Sequence, residues 1–339
     1  MPPVLAIVAD DLTGALDAAA PFAGRGLRVA VALGPDHVPA ALARDPQVVA
    51  ITTTSRDIPA EAARDAMART MRALPPVPLF KKVDSRLKGN IEAELSVLDF
   101  QRALVAPAIP EFGRVVQAGA VQGFGVDDPI PVAARLGIHA ARAEIPDVSS
   151  VDEMRAALAS SDCDLMIGAR GLADALAARM TGREMQMLDA LPGPRGLFVI
   201  GSRDPITLEQ VSALRAVPGL SYLGAPNGDV ASPLPDARLL VVQALPASRP
   251  IAGDLVAARL AAAAAPLLVA GFGTALLTGG ATAEAFLRQR GAGVLDLQGE
   301  CLPGLVVADL DGLTIVTKSG GFGSGDSLVR VAAMIGGEA

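Results

Sequence analysis

No tryptophan occurs among the 339 residues, tyrosine occurs once, and aromatics make up only 3% of the chain. Alanine and the aliphatic residues must therefore fill the interior, which favours close contact between helices and a sheet. Cysteine is nearly missing as well. Cys163 and Cys301 lie far apart and match neither a disulfide framework nor a CxxC metal pattern, as expected of a chain kept in a reducing cytoplasm. The two histidines, His37 and His139, lack the paired spacing of a zinc site and are expected in surface or loop positions. No metal site built from protein ligands is expected, and so few partners leave no Ser-His-Asp or Cys-His arrangement to consider.

A surplus of positive charge is also lacking. With a formal net charge of -7, the chain has no general affinity for nucleic acid or for an anionic membrane surface. Neither a G-x-x-x-x-G-K-[ST] phosphate loop nor a G-x-G-x-x-G after the first strand is present, so the familiar nucleotide folds, and a nicotinamide-dependent oxidoreductase with them, find no support. The N-terminus has no basic segment, and the apolar stretch after it meets Asp10 and Asp11 too soon for a signal peptide, which predicts a cytoplasmic protein. One run, 260–278, carries no charge and approaches membrane-spanning length. It reads as an alanine-rich helix broken at Pro266, followed by a short buried strand over 267–270.

What is present is an α/β pattern. Strands are expected at Val4–Val8, Arg28–Leu33, Gln47–Thr52, Leu79–Val83, Ala103–Ala106, Asp164–Gly168, Leu197–Gly201 and Leu313–Thr317. Helical patterns lie between them: Ala63, Met67, Met71 and Leu74 share one face between Pro59 and Pro75-Pro76. The alternation predicts two domains: an N-terminal, mostly parallel sheet with flanking helices over 1–192, and a C-terminal α/β domain over 195–339, the change falling at Leu191-Pro192-Gly193-Pro194. Pro226–Pro235 reads as a long connection within the second.

The densest polar cluster is Lys81-Lys82-Val83-Asp84-Ser85-Arg86-Leu87-Lys88-Gly89-Asn90, which joins a strand to a helical pattern at Ile91, Glu94, Leu95 and Leu98. Ligands of open α/β sheets bind at such carboxyl ends of strands. A solvated turn, with Asp84 paired to Lys82 or Lys88 and Asn90 capping the helix, would contribute only ~0–1 kcal/mol per pair, too little reason to concentrate four cations here. An anionic guest accounts for them better. Asp10-Asp11 ends the first strand, where one carboxylate can cap the next helix and both can bind sugar hydroxyls or accept a proton. Thr52-Thr53-Thr54-Ser55-Arg56-Asp57 adds hydroxyls and a guanidinium fork, although Ser55 or Asp57 could simply cap the following helix. Pro107–Gln117, with Glu111, Gly113 and Arg114, follows a strand and is a candidate supporting loop. Further on, Gly201-Ser202-Arg203-Asp204-Pro205, Gly279-Gly280-Ala281-Thr282 and Lys318-Ser319-Gly320-Gly321 are glycine turns at strand ends, suited to close approach of phosphates to backbone amides.

Taken together and in this order, these motifs resemble the four-carbon acid sugar kinase family over nearly the whole chain. The resemblance implies an N-terminal domain that binds the acid sugar and a C-terminal nucleotide-binding domain. It implies transfer of phosphate from ATP, with Mg2+, to the terminal hydroxyl of threonate, erythronate or 3-oxo-tetronate. It assigns Asp10, Asp11, Arg56, Lys82, Asp84, Ser85, Lys88 and Asn90 to the acid-sugar side, with Asp11, Asp10 and Asp84 as candidates for the catalytic base. Ser202, Gly279, Gly280, Ala281, Thr282 and Gly320 fall to ATP. Partners beyond the small acid sugar are expected to be further copies of the chain in a homo-oligomer. Where the family usually reads Asp-Ser-Thr-Leu-Arg-Gly-Asn, this chain has Arg86 and Lys88, and where it commonly reads Gly-Gly-Asp-Thr-Ala, residue 281 is Ala. The departures carry an alternative, a non-catalytic or divergent sugar-acid-binding relative with weakened ATP use.

Overall fold

The computed structural model describes residues 2–230, 235–269 and 271–336. They form two compact units, one of residues 1–185 with 293–297, the other of 186–292 with 298–339.

The first unit opens with β1 (Leu5–Ala9), α1 (Leu12–Ala23), β2 (Val29–Ala32), α2 (Val38–Leu42), β3 (Val48–Thr52), α3 (Ala60–Ala73), β4 (Leu79–Lys82), α4 (Ile91–Leu95) and β5 (Ala103–Ala106). A hairpin region follows: β6 (Arg114–Gln117), β7 (Ala120–Gly123) and β8 (Ile130–Pro131), paired antiparallel in a small separate sheet. Then come α5 (Val132–Leu136), β9 (Ala143–Glu144), α6 (Val151–Ser160), β10 (Leu165–Gly168) and α7 (Arg170–Thr181). The main sheet runs β2-β3-β1-β4-β10-β5-β9, with every pair parallel. Strands β1, β2, β3 and β5 read as nearly unbroken apolar runs, as expected where helices cover both faces, and every one of their residues is buried. The scarcity of bulky side chains is met by α1, which is buried on almost every side and built largely of alanine. Sequence also sets the helix ends, as in the capping box of α6, where Ser150 Oγ accepts from the Glu153 amide.

The second unit contains β11 (Arg195–Ile200), α8 (Pro205–Leu214), β12 (Leu220–Pro226), β13 (Leu239–Leu245), α9 (Gly253–Val269), β14 (Phe272–Thr278) and α10 (Gly280–Gln289). It continues with β15 (Val294–Leu302), β16 (Leu305–Leu310), β17 (Leu313–Lys318) and α11 (Ser327–Met334). Strands β12-β13-β11-β14-β17 are parallel neighbours, β16 pairs antiparallel with β17, and β15 follows β16. Phe198, Val241, Leu276, Val307, Val316, Leu328 and Val331 form its core. The first residues of β15 belong to the other unit: Val294–Leu297 pair antiparallel with β2.

Three expectations change. Residues 267–269 continue α9, and the strand is Phe272–Thr278 instead. A short apolar run is compatible with either state, and here alanine-rich helix propensity carries the backbone past Pro266. His139 is buried, its ring tilted 6.0 Å from that of Phe100 and hydrogen-bonded to Arg142, while His37 is exposed as expected. Helix α3 has Pro59 at its N-cap with no side-chain capping bond, so neither Ser55 nor Asp57 caps it. Of the expected connection Pro226–Pro235, residue 226 ends β12 and 231–234 lie outside the described residues. Among the described residues no helix is long and apolar enough to cross a membrane.

Candidate active site

In the first unit the carboxyl ends of three neighbouring strands, β3, β1 and β4, deliver one polar cluster. Asp10 and Asp11 leave β1. Asp11 is the N-cap of α1: its Oδ1 accepts from the Gly14 amide at 2.9 Å and its Oδ2 from Thr13 Oγ1 at 2.7 Å. Arg56, from the loop after β3, bridges both aspartates. Its Nε and Nη2 donate to Asp10 at 2.9 and 2.8 Å, and its Nη1 and Nη2 donate to Asp11 at 2.7 and 2.8 Å. These bonds use every N–H of the guanidinium except one on Nη1, and Nη1 stands 3.9 Å from Asp84 Oδ2. Arg56 is therefore not the open fork that its sequence context suggested.

Asp84 differs from the other two carboxylates. Its Oδ1 accepts from the amides of Arg86 (2.9 Å) and Lys88 (3.4 Å), but among the described residues its Oδ2 accepts no hydrogen bond, with Arg56 Nη1 3.9 Å away. Burial pushes this carboxyl up, yet the charges of Arg56 and Lys82 and the two amides outweigh it and hold it below the ordinary aspartate value. The group is ionised at neutral pH and keeps a free face.

Adjacent lysines on β4 point to opposite faces of the sheet, as the strand period requires. Lys81 is fully buried and pairs with Glu94 at 2.8 Å. Glu94 also accepts from Ser55 Oγ, which lies 2.6 Å from Thr53 Oγ1. Lys81 thus belongs to a structural network beneath the site, not to the cationic cluster. Lys82 is 5% exposed, and among the described residues no hydrogen bond or ion pair holds its ammonium. A Cβ at Gly14 would stand 2.9 Å from Lys82 Nζ and 2.4 Å from Asp11 Oδ1, so the absent side chain is what lets them share the start of α1.

The turn after β4 is strained at Leu87, with φ +55°, and closed by Gly89, with φ +92°, where a Cβ would come within 2.5 Å of Asp10 Oδ2. Asn90 does not cap α4. Its amide nitrogen donates to the carbonyls of Ser55 (2.9 Å) and Ile58 (2.8 Å), tying the Arg56 loop to the Asp84 turn. Arg86 and Lys88 are exposed, while Ser85 is buried and accepts from Arg114 Nη1 at 2.6 Å. Arg114 arrives from the β6–β8 hairpin, which the sequence reading treated as a loop.

In the second unit a cavity of about 410 Å3 lies at the ends of β11, β13 and β14. Gly279, Gly280, Ala281 and Thr282 form one wall, and Leu245, Pro246, Ile251 and Val256 form an apolar one, with Arg203 and Asn227 at the polar margin. Helix α10 begins at this wall with Gly279 as N-cap and no side-chain cap, so its first amides are left for a guest. Ser202 and Gly320 are not among the cavity's lining residues. They touch each other beside it, since a Cβ on Gly320 would meet Ser202 Oγ at 2.5 Å. Lys318 faces inward: its ammonium donates to Thr207 Oγ1 at 3.1 Å and to the carbonyls of Ser319 and Gly320 at 3.0 Å. Burial lowers its pKa to about 8, against a weaker opposing pull from Asp204.

A family model described as a sugar-binding N-terminal domain matches residues 5–189, and one described as a nucleotide-binding C-terminal domain matches residues 231–328. The D-threonate kinase of Cupriavidus necator is 30% identical to this chain, over 94% of each protein. The D-threonate kinase of Bordetella bronchiseptica is likewise 30% identical, over 98% of each. The chain belongs to the four-carbon acid sugar kinase family. It is a phosphotransferase acting on an alcohol group, with a nucleotide-binding C-terminal domain. The 3-oxo-tetronate kinase of Cupriavidus necator is also similar to this kinase, 28% identical over 99% of the chain and 98% of the relative. Two solved structures share its fold: a Salmonella typhimurium protein with a TM-score of 0.75 at 17% identity, covering 96% of this chain and 98% of its own, and a Haemophilus influenzae protein with 0.69 at 19%, covering 97% and 99%.

Sequence reasoning about this kinase missed Glu94 and the apolar cavity wall. Glu94 left a signal, a carboxylate at helical spacing with the buried Ile91 and Leu95. The wall residues left none, because Leu245, Pro246, Ile251 and Val256, running from the end of β13 into α9, carry no motif that marks a binding site.

Proposed function

We propose that this kinase transfers the γ-phosphoryl group of ATP to the terminal hydroxyl of a four-carbon sugar acid, with threonate the first candidate because two full-length relatives are named for it. The observation that carries the reading is Asp84, an ionised carboxylate with one open oxygen, beside the buried Lys82, whose ammonium has no hydrogen bond or ion pair among the described residues. In this reading the acid sugar occupies the Asp10, Asp11, Asp84 cluster of the domain spanning 1–192, and the nucleotide occupies the cavity of the domain spanning 195–339.

The terminal hydroxyl oxygen forms a bond to the γ-phosphorus, the bond to the bridging oxygen breaks, ADP leaves, and the hydroxyl proton passes to Asp84. Asp10 and Asp11 are less suited to that role, since Arg56 occupies both, and Asp11 also holds the start of α1. Lys82 supplies positive charge where negative charge gathers on the transferred group, the usual source of catalysis in phosphoryl transfer. Gly279, Gly280, Ala281 and Thr282 offer backbone donors to the phosphates, and the apolar wall suits a nucleobase. A magnesium ion bound mainly by phosphates and water needs one or two protein carboxylates. Asp204 fits: one oxygen caps α8, accepting from the Ile206 amide at 3.0 Å, and the other lies beside Gly321. The ion would neutralise phosphate charge there.

The deciding experiment measures ADP release with ATP and a panel of threonate, erythronate and 3-oxo-tetronate, with mass analysis of the product. A sugar acid gaining one phosphoryl group is the expected result, and no ADP release with any of the three would sink the proposal.

A further inference from the structure

Arg114 is 8% exposed, yet each of its hydrogen-bond partners is neutral. Nε and Nη2 donate to the Phe124 carbonyl at 3.0 and 2.6 Å, and Nη1 donates to Ser85 Oγ at 2.6 Å. No carboxylate pairs with it among the described residues. A buried cation without a counter-charge is costly, and chains seldom keep one except where a ligand supplies the anion. One N–H remains on each of Nη1 and Nη2, enough for a bidentate contact with a carboxylate. Gly125 lets the backbone pass close to Nη2 without covering it further, since a Cβ there would stand 3.0 Å away.

A second guanidinium bears on the same place. Arg86 follows directly on Ser85, the residue that holds Arg114 Nη1, and burial first and then the nearby charge of Arg86 lower the Arg114 pKa, with Asp84 opposing. The Arg86 side chain is exposed and makes no hydrogen bond or ion pair among the described residues, although its amide is fixed by Asp84. Arg56 cannot serve as the carboxylate fork, because all but one of its N–H groups are used by Asp10 and Asp11.

We propose that Arg114 and Arg86 clamp the carboxylate of the acid sugar, seating its charged end between the β6–β8 hairpin and the turn after β4 and presenting its hydroxyls to Asp84. The assignment rests on the acid-sugar kinase reading above and refines it. Arg56 becomes the residue that positions Asp10 and Asp11. Arg86 becomes a determinant of substrate preference.

The test uses the full chain, with Arg86→Thr and Arg114→Gln, each checked by thermal melting. Binding of threonate to nucleotide-free protein is measured by calorimetry, and steady-state kinetics compare threonate with threitol, which carries a hydroxymethyl group in place of the carboxylate. Loss of a charge-assisted hydrogen bond predicts weaker threonate binding by about tenfold for Arg86→Thr and roughly 100-fold for Arg114→Gln, with KM rising far more than kcat falls. The preference for threonate over threitol should fall by the same factors. Unchanged threonate affinity, or an equal loss for both compounds, would overturn the clamp. If Arg114→Gln does not fold, the exposed Arg86→Thr still decides. A wild-type protein that binds threonate but releases no ADP would defeat the phosphoryl-transfer reading, while the calorimetric comparison still decides the clamp.

Discussion

Gly89 stands where a positive φ meets a carboxylate: the backbone holds +92°, and a Cβ would come 2.5 Å from Asp10 Oδ2. Gly89→Ala should therefore strain the turn and displace Asp10 from Arg56, costing about 1–3 kcal/mol of stability and at least about tenfold in kcat/KM. Melting and steady-state kinetics on one preparation check both effects. Asp84→Asn keeps the acceptor for the Arg86 and Lys88 amides but removes the base. Turnover should fall roughly 100-fold or more with substrate binding retained, and wild-type turnover would remove Asp84 from that role. Much at this scale was legible, because Asp10, Asp11, Arg56 and Asp84 fall at strand ends and the sequence pattern marks strand ends. Their division of labour was not. Arg56 looks like a ligand fork until its partners, 45 and 46 residues away, are seen to occupy it.

Within β4, Lys81 and Lys82 are indistinguishable by composition, and strand alternation sends one to a structural ion pair and the other to the site. Replacing Lys81 with Met leaves Glu94 buried without a counter-charge. The expected loss is about 3–5 kcal/mol, with most of it recovered when Glu94→Leu is added, measured by chemical denaturation of the single and double variants. A double variant as unstable as the single one would show that the pair is not the cause. Lys318 at the end of β17 makes a pH prediction. Its folded pKa, about 8, lies below the ordinary 10.5, so the unfolded chain binds the proton more tightly. Its contribution to stability is complete above 10.5 and is lost as pH falls through 8. Wild type should gain about 2–3 kcal/mol relative to Lys318→Met between pH 8 and 10.5. Denaturation of both proteins at several pH values reads this, and parallel pH curves would refute it. Asn90 teaches a related lesson: its place before α4 suggested a cap, but two loop carbonyls compete for its amide and win.

The chain crosses between units twice more than its linear pattern suggests. Residues 293–297 return to the first unit and pair with β2, whose residues are all apolar. A fragment of residues 1–192 should therefore expose an open apolar edge and self-associate, and a peptide carrying residues 292–299 should suppress this, as read by light scattering. A monomeric fragment without the peptide would show that the edge protects itself. The sequence alone determined the α/β class, the parallel strands, the polar cluster at their carboxyl ends and the glycine turns, because apolar periodicity and turn chemistry act over a few residues. Only the tertiary structure decided which cation faces the site, that Arg56 is spent on Asp10 and Asp11, that Arg114 reaches Ser85, and that β15 serves two units. Those outcomes depend on which groups, distant along the chain, desolvate one another, and no local pattern encodes that competition.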